Sequence, residues 1–194
     1  MTRHGDVRQK ILDAAEQRLW HYGFKKTTID EIASDAGVGK GTVYLYFDGK
    51  EEIGLAIISE YKQRGLNKIA LIAQDPSKSP VQKLTEMLQH PILNACLSCR
   101  QSPPMQEMIT AIKPHIRLHV QPQTEREYEI LAGVLEEGNN LGVFDVPDTL
   151  RVARTLKMMT LGFLPPYPCV SEPDEIATEI AAIVTLTVRG IRKT

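Results

Sequence analysis

Residues 27–50 read TTIDEIASDAGVGKGTVYLYFDGK, and this stretch decides the fold because it predicts two short helices joined by a tight turn. Thr28 and Glu31 have the S/T-x-x-E spacing of a capping box, which places the start of the first helix at Thr28. Apolar residues then recur at helical spacing from Ile29 to Ala36. Gly37 stands where a left-handed C-terminal cap is expected, with Val38 as an apolar plug after it.

A second helix is predicted from about Gly39 to Phe47, and Asp48 with Glu51 predicts the cap of a third, long helix. Helix, glycine turn, helix is the arrangement whose second helix can enter the major groove of DNA. The second helix carries residue types that suit contact with DNA. A lysine and hydroxyls can bond phosphates and base edges, small residues permit close approach, and tyrosines reach the backbone. These residues are Lys40, Gly41, Thr42, Tyr44 and Tyr46.

Four segments of this stretch resemble the TetR family of transcriptional regulators. They are TIDEIA at 28–33, AGV at 36–38, GTVYLYF at 41–47 and KEE at 50–52. The resemblance is long and ungapped and covers residues 7–55, in the first quarter of the chain. Where the family usually has Ser or another polar residue, this chain has Gly39, which is still an acceptable N-cap but supplies no side-chain contact to DNA.

The resemblance implies an all-α protein in two parts. Residues 1–50 would form a three-helix DNA-binding head with the helix-turn-helix, and residues 51–194 a larger helical ligand-binding and dimerisation body. It further implies a homodimer that binds a palindromic operator in double-stranded DNA, most often as a repressor, and that a small-molecule effector releases. In that role Gly39 to Phe47 face the major groove, with Lys40, Gly41 and Thr42 as candidates for base edges. The implied phosphate contacts are Thr28, Lys40, Thr42, Tyr44, Tyr46 and Lys50.

Composition fits a globular protein, with 42% apolar and 24% charged residues, but bulk charge does not indicate DNA binding. The net charge is −1, and residues 1–55 contain eight Lys and Arg against nine Asp and Glu. No apolar run is long enough for a transmembrane helix, and the first ten residues lack the apolar core of a signal peptide. We therefore expect a cytoplasmic protein. No enzyme motif and no cofactor signature is present, so we expect no enzymatic activity.

The remainder of the chain has helical periodicity throughout. Beyond a long helix from Glu51 to about Gln74, proline and glycine clusters divide it into five predicted helices. They lie near residues 80–97, 103–113, 121–140, 148–163 and 173–191. The last two predicted helices carry many apolar residues. In the resembling family the last two helices of each subunit together form a four-helix dimer interface. The alternative is that these helices close the core of the monomer.

Three further sets of residues have both a functional and a plain packing interpretation. Methionine and aromatic side chains suit an adaptable pocket for an apolar ligand, or simply a core; they are Met87, Met105, Met108, Met158 and Phe163. Cys96 and Cys99 form a C-x-x-C pair, which could be a redox switch, half a metal site, or two buried thiols. His115 and His119 share one helical face and could bind a metal or be solvated. We assign no metal site. Two alternatives to an operator-binding regulator released by a small molecule stay open: a thiol- or metal-responsive regulator that uses Cys96 and Cys99, and a helical ligand-binding protein that does not bind DNA.

Overall fold

The computed structural model describes residues 3–164 and 172–191, and the elements in that part of the chain are helices, which confirms the all-α prediction. In chain order they are α1 (Arg3–Tyr22), α2 (Ile29–Asp35), α3 (Lys40–Tyr44), α4 (Lys50–Ala73), α5 (Pro80–Gln101), α6 (Pro103–His119), α7 (Gln121–Asn140), α8 (Thr149–Thr160) and α9 (Pro173–Ile191), with a short 3-10 turn (Leu161–Phe163) after α8.

The chain packs into two compact units, each with its own core. The head unit consists of Met1–Tyr61 and Ser98–Val120, and the body unit of Lys62–Leu97 and Gln121–Thr194. The packing boundary thus falls within α4 and α5. The functional division at residues 50 and 51 concerns DNA and ligand binding, and it stays a prediction.

The core of the head unit joins α1 and the helix-turn-helix to α6. Its buried side chains alternate at three- and four-residue spacing along each helix, as expected for amphipathic helices that pack on one another. They are Ile11, Leu12, Ala15, Leu19, Phe24, Ile32, Ala33, Val43, Phe47, Ile53, Ala56, Ile57, Cys99, Met105, Met108 and Ile112. A Cβ on Gly54 would lie 3.4 Å from the Ile112 side chain, so this glycine lets α4 and α6 approach closely.

The body unit has a second core made from the remaining parts of α4 and α5 with α7, α8 and α9. Phe144 is buried in it beneath Gly138, and a Cβ at Gly138 would lie 2.1 Å from the Phe144 ring. A side chain at Gly138 would therefore displace the ring. The structure confirms the bounds that the sequence predicts for α7 and α9.

The sequence predicts N-caps at Asp6 for α1 and at Asp48 for α4, and both predictions are wrong by a few residues. Asp6 lies in the first turn of α1 rather than at its N-cap, because the helix begins at Arg3. An acidic residue stabilises the first turn as well as the cap position, so the sequence signal does not separate the two. Asp48 also precedes the capping position of α4, which begins at Lys50; the backbone N–H of Asp48 donates to Glu52.

The predicted end of α6 at residue 113 is wrong, because the helix continues through Pro114 to His119. A proline inside a helix removes one hydrogen bond and usually ends or kinks it. Here Ile116 lies one turn beyond the buried Ile112 and packs against the same core, which favours continuing the helix. Pro114 itself is exposed, where its ring has room. The loop expected between residues 114 and 122 is reduced to Val120.

Candidate nucleic-acid interface

The start of α2 is fixed by the capping box that the sequence predicts. The Thr28 hydroxyl accepts a hydrogen bond from the Glu31 backbone N–H at 3.3 Å, and the Glu31 carboxylate accepts from the Thr28 backbone N–H at 2.8 Å. The hydroxyl also donates to the same carboxylate at 2.9 Å. These bonds hold the pKa of the Glu31 carboxyl below its usual value. They satisfy backbone groups that would otherwise lack partners at the helix start.

The turn between α2 and α3 has the hydrogen bonds of a Schellman motif. Gly37 has φ +66°, its N–H donates to the Ser34 carbonyl at 3.1 Å, and the N–H of Val38 donates to the Ala33 carbonyl at 2.9 Å. A residue with a Cβ is strained at this backbone angle, so the position requires glycine or a residue such as Asn that tolerates it. The motif sets the direction in which the chain enters α3.

The short helix α3 has one buried side and one exposed side. Val43 is fully buried and Phe47, one turn further on, is 2% exposed, so these two side chains anchor the helix. Lys40 and Gly41 are exposed, Thr42 is half-buried, and Tyr44 is 49% exposed. The sequence-predicted candidates for base edges thus lie together, on accessible positions of one short helix. Gly39 occupies the N-cap and makes no side-chain capping bond.

Lys40 forms an ion pair with Asp30 across the two helices. Its Nζ lies 2.8 Å from Asp30 Oδ2, and both side chains are more than half exposed. The hydrogen bond to Asp30 raises the pKa of Lys40, so the ammonium is charged at neutral pH. Because the pair is exposed, a phosphate oxygen can replace the carboxylate without first opening a buried contact.

Three of the predicted phosphate contacts are occupied by contacts within the head. Lys50 Nζ donates to the carbonyls of Phe24 and Thr27, the latter at 2.8 Å, and lies 4.5 Å from the centre of the Phe24 ring. The Thr28 hydroxyl is used in the capping box. Tyr46 is half-buried against the head core. Lys50 and Thr28 therefore have partners within the head, whereas Lys40, Gly41 and Tyr44 are exposed and Thr42, like Tyr46, is half-buried.

Leu45 is a surface residue that the sequence reasoning missed, and it is the most exposed large apolar side chain of this surface, at 81%. The helical spacing could have indicated this, because Val43 and Phe47 already supply the buried side and Leu45 falls opposite to both. An apolar side chain at this place can contact the methyl group of thymine in the major groove.

The structure does not bring the five predicted pocket residues together. Met105 and Met108 belong to the head core, whereas Met87 and Phe163 belong to the body core or pack against it. Met158 is 66% exposed on α8. Their role as pocket residues stays a prediction. The body unit has instead a half-open cleft of about 240 Å³ between α4 and α7.

The cysteine and histidine pairs show no metal geometry. Cys96 is fully buried and Cys99 is 3% exposed, and both thiols are free of disulfides. His115 and His119 are exposed on the continuous helix α6. Among the residues described, no three His, Cys, Asp or Glu side chains meet in a set that could hold a metal ion. Within the same residues, no helix is both long and apolar enough to span a bilayer.

The helices α8 and α9 each have one buried and one exposed apolar side. Inward residues such as Leu156 and Ile180 belong to the body core. Outward apolar residues remain uncovered in the single chain: they are Leu150, Met158, Met159 and, further along, Leu161 and Leu186. Packing of the monomer core therefore uses only part of the apolar surface of these two helices.

A family model described as "Bacterial regulatory proteins, tetR family" matches residues 11–57, which contain most of α1, the helix-turn-helix and the start of α4. An HTH-type transcriptional regulator from the lacX 3' region of Lactococcus lactis subsp. lactis is 34% identical over 83 residues, covering 43% of this chain and 42% of the relative. Over the first five curated relatives, the matches span only 27–45% of the relative's length. An HTH-type regulator of Mycobacterium tuberculosis (strain CDC 1551 / Oshkosh) is similar over more of its length, with 28% identity over 187 residues, 95% of this chain and 88% of the relative.

Solved structures share the whole fold. The crystal structure of a transcriptional regulator from Cytophaga hutchinsonii ATCC 33406 superposes with a TM-score of 0.71 at 22% identity, covering 94% of this chain and 97% of that one. At this identity the likeness concerns the fold alone. The relatives are named as transcriptional regulators, which are not enzymes, in agreement with the absence of enzyme motifs from the sequence.

Proposed function

We propose that the chain, whose residues 11–57 match the model of the TetR family, is a transcriptional regulator that binds a palindromic operator as a homodimer and acts as a repressor. The observation that carries the proposal is the Schellman turn at Gly37, which presents α3 with Lys40, Thr42 and Tyr44 accessible. A regulator of this kind acts in the cytoplasm, where bacterial DNA is found.

In this proposal α3 lies in the major groove. Lys40, Gly41 and Thr42 at its start meet base edges, and Lys40 and Thr42 also reach phosphates, because a lysine and a hydroxyl can hydrogen-bond either and a glycine lets the backbone approach. Tyr44 donates from its hydroxyl to a phosphate, which positions the head without reading sequence. Leu45 adds an apolar contact to a thymine methyl group.

The homodimer would form through α8 and α9. Exposed apolar side chains in a contiguous patch mark interaction surfaces more often than isolated ones do. Met159 near the end of α8, Leu161 in the 3-10 turn after it, and Leu186 on α9 are each at least 46% exposed in the single chain. Burying them against a second copy removes them from water. A twofold dimer then requires operator half-sites about 34–36 Å apart, or a multiple of that distance.

A small-molecule effector bound by the body would favour a dimer whose heads no longer match the operator. Thermodynamic linkage then requires that operator DNA weaken effector binding by the same factor. The thiol- or metal-responsive alternative has less support, because Cys96 and Cys99 are buried and the described residues form no metal set.

The proposal is tested by selecting bound duplexes from a random pool with the full chain at near-physiological salt. We expect an enriched palindrome, and binding that weakens steeply as salt rises because phosphate contacts release counterions. A folded dimer that enriches no sequence, with or without cell extract as a source of effector, would favour the alternative of a helical ligand-binding protein that does not bind DNA.

Tyr44→Ala separates positioning from readout within the same experiment. Loss of a phosphate contact should weaken binding to every enriched sequence by a similar factor and leave the consensus unchanged. Lys50→Ala is an informative comparison, because Lys50 Nζ bonds the carbonyls of Phe24 and Thr27 and should affect stability of the head first. A change of preference at a single base pair in Tyr44→Ala would contradict the assignment of Tyr44 as a phosphate contact.

A further inference from the structure

The body unit contains a cleft between α4 and α7 that no sequence motif indicated. Its volume is about 240 Å³, and all of its lining residues lie on these two helices or directly after α4. They are Gln63, Leu66, Asn67, Ala70, Ala73 and Gln74 from α4 and its end, and Arg126 and Ile130 on α7. We refer to it as the α4–α7 cleft. None of the methionine or aromatic residues predicted to line a pocket contributes to it.

The lining of the α4–α7 cleft divides into an apolar part and a polar part. Leu66 is 6% exposed, and Ala70, Ala73 and Ile130 are half-buried, so together they make an apolar floor. Exposed amide side chains stand above the floor; Gln63 donates to Asn67 Oδ1 at 3.0 Å. Such a combination of apolar surface with a few polar groups is typical of sites for small amphipathic molecules.

Arg126 is the charged residue of the lining, and a ligand can replace Glu129 as its ion-pair partner. Its Nη1 lies 2.6 Å from Glu129 Oε2, with the side chains 65% and 56% exposed. Exposed pairs of this kind contribute little because water solvates both partners. An acidic group of a bound molecule can therefore take the place of Glu129. A guanidinium suits this role, since its planar donors match a carboxylate or a phosphate.

Positive charge is in excess next to the same end of the cleft. Lys62 directly precedes Gln63 of the lining, and it shares the buried carboxylate of Glu127 with Lys157. Two ammonium groups thus share one carboxylate, and Glu127 is adjacent in sequence to Arg126. The described lining of the cleft contains no Asp or Glu. The local field therefore favours an anion at this end and disfavours a cation.

We infer that the α4–α7 cleft binds a small amphiphile with an acidic headgroup, which lies at Arg126, and a hydrocarbon chain, which lies on Leu66, Ala70 and Ile130. The cleft has room for about eight water-sized groups at about 30 Å³ each, which corresponds to a chain of roughly eight carbons. This inference rests on the proposed function in one respect: as a regulator's effector site, the cleft would couple ligand binding to operator release.

The test is calorimetric titration of the full chain, without DNA, with octanoate, 1-octanol and octylamine. These probes share a chain length and differ in charge. Octanoate should bind more tightly than 1-octanol by up to about fivefold, the upper end of what one exposed ion pair contributes, and octylamine should bind most weakly. Equal affinity for octanoate and 1-octanol, or no binding of octanoate, would overturn the inference.

Two variants with matched controls locate the site. Arg126→Gln should remove the preference for octanoate over 1-octanol, whereas Lys68→Gln, the same change of charge on exposed α4 surface outside the lining, should keep it. Ala70→Phe should fill the cleft and abolish binding of both probes, whereas Leu71→Phe on the exposed side of α4 should not. Unchanged binding in Ala70→Phe, or equal losses in the two charge variants, would place the probes elsewhere and refute the assignment.

Operator release is measured separately, so the two proposals fail in different ways. If octanoate binds at the cleft but leaves DNA binding unchanged, the binding site stands and its role as the effector site is refuted. If the chain selects no DNA sequence, the proposed function fails while the calorimetry still decides whether the cleft binds an acidic amphiphile.

Discussion

Replacing Glu127 by Gln should lower the free energy of unfolding of the body unit by about 3–5 kcal/mol, because it leaves the buried ammonium group of Lys157 without a counter-charge. Glu127 is fully buried on α7. Its Oε1 lies 2.6 Å from Nζ of Lys157, which is 4% exposed, and its Oε2 contacts Nζ of Lys62. Gln has nearly the same shape as Glu, so the variant removes the charge and leaves no cavity.

The measurement is urea unfolding followed by far-ultraviolet circular dichroism, at one fixed protein concentration because a dimer's stability depends on concentration. In a thermal scan each kcal/mol shifts the midpoint by about 2–4 °C for a chain of this size, so a fall of about 6–20 °C is expected. The matched control is Glu129→Gln. It removes an equally short ion pair two residues away on the same helix, but an exposed one, and should cost at most about 1 kcal/mol.

Equal and small losses in the Glu127 and Glu129 variants would refute the reasoning, since burial would then not determine the cost of the missing charge. A further variant, Glu127→Leu combined with Lys157→Met, tests the cause. Removing both charges should restore part of the stability lost in Glu127→Gln, because the main cost lies in an uncompensated buried charge rather than in the lost attraction.

Three further predictions concern pH, charge and backbone. Burial raises the pKa of Glu127, but the ammonium groups of Lys157 and Lys62 outweigh this effect and hold the pKa below its usual value. The stabilisation by these ion pairs is therefore present at neutral pH and is lost as the pH falls through that lowered pKa. In urea titrations the difference in unfolding free energy between wild type and Glu127→Gln should narrow below about pH 4.3. Asp30→Asn should tighten operator binding several-fold. It should also steepen the slope of log affinity against log salt concentration by up to about 0.9, the contribution of one phosphate contact. Neither change should occur in a Lys40→Met background, and gel-shift titrations over a salt series measure both. Gly37→Ala should destabilise the head by about 1–2 kcal/mol in denaturant unfolding because φ is +66°, while Gly41→Ala, with open space around it, should be neutral or stabilising.

The helix-turn-helix could be predicted in detail because its determinants are local. A capping box involves Thr28 and Glu31, three residues apart, and the left-handed turn requires only that Gly37 follow the last helical residue. No distant part of the chain has to be known for either feature. The bounds of α7 and α9 were predictable for a similar reason, since prolines and glycines mark their ends.

Elsewhere tertiary contacts outweigh the local signal. The sequence around Pro114 predicts a helix end, yet Ile116 gains burial in the head core only if α6 continues. The methionines of α6 were equally ambiguous. Met105 and Met108 have the side chains of a ligand pocket, but they lie in the head core. Residue type does not tell which of two cores a helix will join.

The residues proposed to contact DNA illustrate the same limit at the level of single side chains. Lys40 and Lys50 are both lysines in the resembling motif, and the sequence gives no reason to treat them differently. In the structure Lys40 is exposed beside Asp30, whereas Lys50 turns inward to the carbonyls of Phe24 and Thr27. The difference arises from the loop between α1 and α2, whose carbonyls point towards α4, and a linear motif does not contain that information.

Four of the nine acidic residues between positions 1 and 55 are held in ion pairs within the head. Arg18 of α1 contacts Asp35 at 2.6 Å and Glu31 at 3.0 Å, which ties α1 to α2 and keeps these carboxylates paired. Its hydrogen bonds lower the pKa of Asp35. Lys40 and Asp30 are different, because this pair lies beside α3 itself. In the proposed complex Lys40 would exchange one anionic partner for another, so its net gain would be smaller than that of an unpaired lysine. The net charge of the head therefore does not describe the surface of α3, where the proposed gain from a phosphate depends on the Asp30–Lys40 pair.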